Sequence, residues 1–115
     1  MNRYAAHGLV ADALAGKTIL VLTPLTSLIR PAMDEIIGGP LDDADLDTYR
    51  VRRASGEQGI EFHTGGRIHF QSARASLRGM SADIVYLDDN AEHEMTDTWR
   101  DLHTVTRPDG EIIRA

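Results

Sequence analysis

Residues 82–90, ADIVYLDDN, constrain the fold more than any other stretch of this 115-residue chain. Ile84, Val85, Tyr86 and Leu87 run without a polar break, so a strand there must be covered on both faces. That is the situation of a parallel sheet between helix layers, not of an antiparallel sheet with one wet face. Two carboxylates, Asp88 and Asp89, close the run. A second such run, Ile19 to Leu22 in TILVLTP, reads as another short buried strand.

Covering layers are legible in the 3.6-residue period. In LTSLIRPAMDEIIGGP, Leu25, Leu28, Ile29, Ala32, Met33, Ile36 and Ile37 repeat along one helical face. Thr26 or Ser27 is expected to cap this helix, Pro31 sits where its missing N–H costs least, and Gly38, Gly39 and Pro40 end it. AEHEMTDTWRDLHTVT predicts a further helix, with Met95, Trp99, Leu102 and Val105 or Thr106 on its buried stripe. Asn90 would be its N-cap, with Glu92 and Glu94 near its positive end.

Between the helical stretches the period falls to two. TYRVRRA alternates Tyr49 and Val51 with arginines, and GIEFHTGGRIHFQ reads as a hairpin. A two-residue Gly65-Gly66 turn would set Ile60 and Phe62 on the face opposite Ile68 and Phe70. A three-residue Thr64-Gly65-Gly66 loop, with Gly66 left-handed, pairs Phe62 with Ile68 and Ile60 with Phe70, and so puts all four on one face. His63, His69, Glu61 and Arg67 then share the other face, and two histidines without a third well-spaced ligand favour a solvated face over a metal site. Arg107 to Gly110 is expected to turn the chain into a last short strand, EIIRA. The order strand, helix, hairpin, strand, helix, strand predicts an open, mainly parallel α/β sheet flanked by helices, with an inserted antiparallel β-hairpin.

One motif is a decoy. Ala11, Gly16, Lys17 and Thr18 fit a loose P-loop pattern, which requires a strand before the loop and a helix after it. Here the order is reversed. MNRYAAHGLVADALAG, with many Ala and few β-branched residues, reads as a helix, and the strand follows it. Gly16 is then a helix-ending residue and Lys17 a solvated turn residue at the negative helix end.

The length suits one domain spanning residues 1–115, and 42% hydrophobic residues with no membrane-length apolar run suits a cytoplasmic protein. Without cysteine there is neither a disulfide framework nor a thiolate metal site. The acidic loop LDDADLD lacks the glycine and terminal Glu of a calcium loop. Net charge is −6, yet between Arg50 and Arg78 six Arg face only Glu57 and Glu61, giving +4 there and −10 elsewhere. The acidic whole disfavours nonspecific nucleic-acid binding, while Arg50, Arg52, Arg53, Arg74 and Arg78 offer a local face for DNA.

Acidic residues at the end of a buried strand lie at the carboxyl edge, where open α/β sheets bind ligands. Asp88 there can hold Mg²⁺ through water and Asp89 can orient an attacking water, but paired Asp can equally cap and turn the chain before a helix. Gly66, Ile68 and Phe70, then Arg78-Gly79, then Ile84 to Leu87 with Asp88 and Asp89, resemble the ATPase domain of phage terminase large subunits. In that family a G-x-x-I-x-F hairpin strand leads to an R-G turn and a Walker B strand ending Asp-Glu-Ala. The resemblance extends upstream through ALAGKTILVLTPLTSLIRPAMDEI and implies a truncated P-loop NTPase-like core of the RecA/ASCE type.

Three departures shape the expected function. Met1 falls inside the helix that follows the P-loop, so the Walker A strand and loop are expected to be absent. Asp89 stands where the family has Glu, with Asn90 inserted before Ala91, and the chain stops after the strand that follows Walker B. The resemblance then implies a phage-encoded, host-cytoplasmic protein without ATPase activity, in which Asp88 is the metal position, Asp89 a vestigial catalytic residue, and Arg78 and Gly79 cofactor-binding. No cofactor is expected, with Mg²⁺ and ATP held only alongside a partner. Because the family's P-loop strand lies beside the strand corresponding to EIIRA, the edge at Ile112 and Ile113 is expected to be open to a protein partner or a second copy.

Overall fold

The computed structural model describes every residue except 46, 55, 76, 78, 79, 90, 96–104 and 115. The two continuous apolar runs are neighbours at the centre of the sheet. β1 (Thr18–Thr23) lies between β4 (Arg67–Ser72) and β5 (Ala82–Leu87), parallel to both. The described strands follow the order β2-β3-β4-β1-β5-β6. β6 (Thr106–Arg114) is parallel to β5, whereas β2 (Tyr49–Arg52) and β3 (Gly59–Phe62) add antiparallel beside β4. This is the mixed α/β sheet with an antiparallel excursion that the periodicity predicts.

Each face has its own core. Ile19, Val21, Ile60, Phe62, Ile68, Phe70, Ile84 and Tyr86 pack against α1 (Arg3–Leu14) and α2 (Ile29–Ile37), which supply Leu9, Val10, Met33 and Ile36. On the opposite face Leu20, Leu22, Val85 and Leu87 meet Ala73, Leu77, Ala91, Met95 and Val105. Burying one such Leu, Ile or Phe contributes about 1.5–3 kcal/mol, so double coverage makes β1 and β5 the most strongly held strands. Of the predicted third helix, Ala91–Glu94 form a 3-10 turn, and Met95 and Val105 are buried as expected. Asn90, Trp99 and Leu102 lie outside the described residues, and Thr106 opens β6 instead of closing a helix.

The Gly16-Lys17-Thr18 stretch is a helix end, as its order predicts. Gly16 has φ 95°, its N–H donates to the Ala13 carbonyl at 2.9 Å, and the Lys17 N–H donates to Asp12 at 3.1 Å. Those two bonds form a Schellman motif, which satisfies the carbonyls of Asp12 and Ala13 in the last turn of α1.

Three local expectations need correction. Neither Thr26 nor Ser27 caps α2, because the chain enters it through a 3-10 turn, Thr26–Leu28, with no side-chain cap bond among the described residues. The turn's own i→i+3 bonds occupy the N–H groups a cap would serve. The hairpin loop has three residues, but they are His63, Thr64 and Gly65. Phe62 N–H donates to the Gly66 carbonyl at 2.9 Å, and the left-handed residue is Gly65, φ 90°, not Gly66. Ile60 therefore pairs with Ile68. This register differs from the expected one by two residues, and an even shift keeps all four apolar side chains on one face. This register seats the loop on α1: Thr64 Oγ1 donates to the Ala13 carbonyl at 3.1 Å, and Gly66 lies so close to that carbonyl that a Cβ there would collide with it. Third, Arg107 to Gly110 do not separate a turn from a short strand. They lie within nine-residue β6 as an irregularity, since Ala82 pairs with Thr106 but Ile84 with Glu111.

Candidate functional site

The carboxyl edge brings together Thr23, Ser72 and Asp88 at the ends of β1, β4 and β5. Asp88 is carried there because its N–H extends the ladder, donating to the Leu22 carbonyl at 2.9 Å. The residue is 5% exposed, and no hydrogen bond reaches Oδ1 among the described residues. The nearest cation is the α-amino group of Met1, 3.4 Å from Oδ1, which also donates to Glu35 Oε2 at 2.7 Å. Met1 reaches this point because Asn2 caps α1, its side chain accepting the Ala5 N–H at 2.8 Å, so the positive end of that helix stands beside the tip of β5.

The electrostatics follow from this burial. Loss of water raises the Asp88 pKa, the Met1 ammonium opposes the rise, and Glu35 and Asp89 add to it. Burial by itself would lower the α-amino group, but the hydrogen bond to Glu35 and the charges of Glu35 and Asp88 raise it on balance. The Tyr86 hydroxyl beneath is raised by burial and by the same two carboxylates. Among the described residues no three His, Asp or Glu converge as metal ligands. What the arrangement does chemically is hold one cation between a buried carboxylate and an exposed one.

The adjacent carboxylates part company. Asp89 is exposed with left-handed φ 48°, in a turn closed by the Ala91 N–H donating to the Asp88 carbonyl at 2.9 Å. Aspartate is among the few residues that tolerate this backbone, which accounts for Asp there as a turn residue. Arg74 donates to Glu94 at 2.6 Å, and Arg78 and Gly79 lie outside the described residues.

The arginines grouped by sequence are not grouped in space. Tyr49 and Val51 join the helix-covered core, so Arg50 and Arg52 project from the opposite face, where Arg52 pairs with Glu61. Arg53 turns the other way, toward Asp34 of α2 at 3.8 Å, while Arg74 sits at the carboxyl edge. The two histidines separate as well: His63 lies in the hairpin loop, its Nδ1 3.3 Å from the Thr48 carbonyl, and His69 is half-buried on β4, where burial and then Arg67 lower its pKa.

Lys17 lies at the amino edge, beside Asp83 and Glu111. Asp83 accepts the Thr18 N–H at 2.9 Å and Arg107 Nη1 at 2.7 Å, which hold its pKa below the usual carboxylate range. One strand length, roughly 17–20 Å for five or six residues, separates Lys17 from Asp88. Sequence reasoning missed Glu35 and the α-amino group as neighbours of Asp88. Glu35 had no signal, being one polar position on an amphipathic helix, whereas Asp83, a lone acid at the head of an apolar run, was visible. No protein-family model matches this chain, and no curated protein matches it in sequence, so its functional reading rests on geometry and residue chemistry.

Proposed function

We propose that this chain is a degenerate P-loop NTPase-like core of the phage-terminase kind, acting as a protein-binding module and not as an ATPase by itself. One observation carries the proposal. β6 spans nine residues, pairs with β5 on one side, and has no strand on its other side among the described residues. Ile112 on that edge is 38% exposed. A strand added there satisfies the outer backbone groups and covers Ile112, the usual basis of strand-addition recognition. The reversed Gly16-Lys17-Thr18 order and the solvent-facing Asp89 support the absence of hydrolysis by this chain alone.

Sedimentation across a concentration series tests the edge. Ile112→Lys charges it without removing a backbone donor, and Ile112→Pro fixes φ and removes one. Self-association is expected in the parent and in Glu57→Ala, and is expected to be lost in both Ile112 variants. A parent that is monomeric at every concentration refutes the reading.

The amino end of α1 beside Asp88 favours a second reading, in which a partner subunit completes a Mg²⁺–nucleotide site. Asp88 would then hold the metal, with Asp89, Arg78 and Gly79 toward the nucleotide. Calorimetric titration of ATP with Mg²⁺ into the associated protein and into the Ile112→Lys monomer decides it, and no heat in either sinks it.

A further inference from the structure

A cavity of about 160 Å³ lies beside α2, lined by Arg30, Met33, Arg53 and Gln58. Three separate parts of the chain meet there: the first turn of α2, the residue after β2 and the residue before β3. Met33, 1% exposed, gives an apolar wall, and Arg30, Arg53 and Gln58 complete the lining among the described residues. Two arginines lining one cavity place like charges near each other, and an anion between them would neutralise both. Asp34 is 3.8 Å from Arg53, but both side chains are at least half exposed, so that contact is long and solvent-screened. Arg30 has no ion-pair partner among the described residues. Neither α2 nor the 3-10 turn before it carries an acidic residue in its first turn, so nothing there offsets the positive end of the helical segment.

We propose that this cavity binds a phosphate group. Its volume equals that of about five liquid waters, enough for one tetrahedral oxyanion and its nearest hydration. Guanidinium forks match phosphate oxygens in bidentate geometry, and the Gln58 amide adds a neutral donor. A phosphate monoester, with charge near −2, balances two arginines where a carboxylate balances one. The site shares no lining residue with the Asp88 cluster, and β2 and β6 are opposite edges of the sheet, so it is independent of strand addition at β6.

The test titrates inorganic phosphate into the full chain at low ionic strength, followed by calorimetry and by the side-chain Nε–H resonances of arginine. Saturable millimolar binding that moves the Arg30 and Arg53 resonances is expected. Arg30→Gln and Arg53→Gln should each weaken it about tenfold, the loss of one charge-assisted contact, while Arg50→Gln on the other face leaves it unchanged. A second arm uses a short single-stranded oligonucleotide. Tighter binding than inorganic phosphate, lost in Arg30→Gln, identifies the phosphate as part of a polynucleotide backbone, and equal or weaker binding identifies a free phosphate or monoester. No saturable binding, binding indifferent to both substitutions, or shifts at Arg50 and Arg74 instead of Arg30 and Arg53 overturns the proposal.

Discussion

Replacing Asp88 by asparagine isolates what a buried carboxylate does at this edge. The native side chain is 7% exposed, and its closest cation lies 3.4 Å away, already bound to Glu35 at 2.7 Å. Burial raises the folded pKa above the ordinary Asp value, and the ammonium only partly opposes the rise. A raised carboxylate pKa means that the folded state binds the proton more tightly than the unfolded chain. Stability is therefore lost as pH rises from the unfolded value, about 4, through the folded value, and the loss persists at neutral pH. Asparagine is nearly isosteric and cannot ionise, so it removes that loss while Glu35 still holds the ammonium. Set against the weak, long contact given up, the net expectation is a gain of about 1 kcal/mol at neutral pH, or roughly 3–5 °C in melting temperature. Urea unfolding followed by circular dichroism measures it. The gain should vanish below about pH 4, where both side chains are neutral. A loss of about 3 kcal/mol or more at neutral pH would refute the reasoning, because it is the cost of breaking an ion pair that holds α1 to the sheet.

Other expectations are as direct. Gly66→Ala drives a methyl into the Ala13 carbonyl and should cost about 3 kcal/mol or more, whereas Gly65→Ala meets open space and should cost only the left-handed backbone term of about 1–2 kcal/mol. Equal losses in chemical denaturation would mean that the hairpin register is wrong. Val85→Ala removes two methyls from a fully buried strand position and should cost roughly 1–3 kcal/mol by the same assay, with no loss arguing that the second face is not packed. The isolated chain should bind ATP no tighter than about millimolar, worth roughly 4 kcal/mol, and Lys17→Ala should leave that unchanged. Micromolar binding abolished by Lys17→Ala would show that the reversed motif works after all.

Much of this molecule was legible in local pattern, because periodicity and turn chemistry act over a few residues. The unbroken runs at Ile19 and Ile84 had to be covered on both faces, and they are the adjacent strands β1 and β5. The reversed order around Gly16 made that glycine a helix end, and parity placed Ile60, Phe62, Ile68 and Phe70 on one face whichever three-residue loop formed. Contacts between distant segments decided the rest. Gly65 and Gly66 are equally able to adopt positive φ, and in the folded chain Gly65 does so while Gly66 packs too closely on Ala13 to carry a side chain. Arg53 follows two arginines in sequence, yet the end of β2 turns it to Arg30 across the helix face. Asp88 announced a carboxyl-edge acid, but the α-amino group and Glu35 reach it from 87 and 53 positions away. Burial and charge at such a point depend on what packs there, and a one-dimensional pattern carries no information about that.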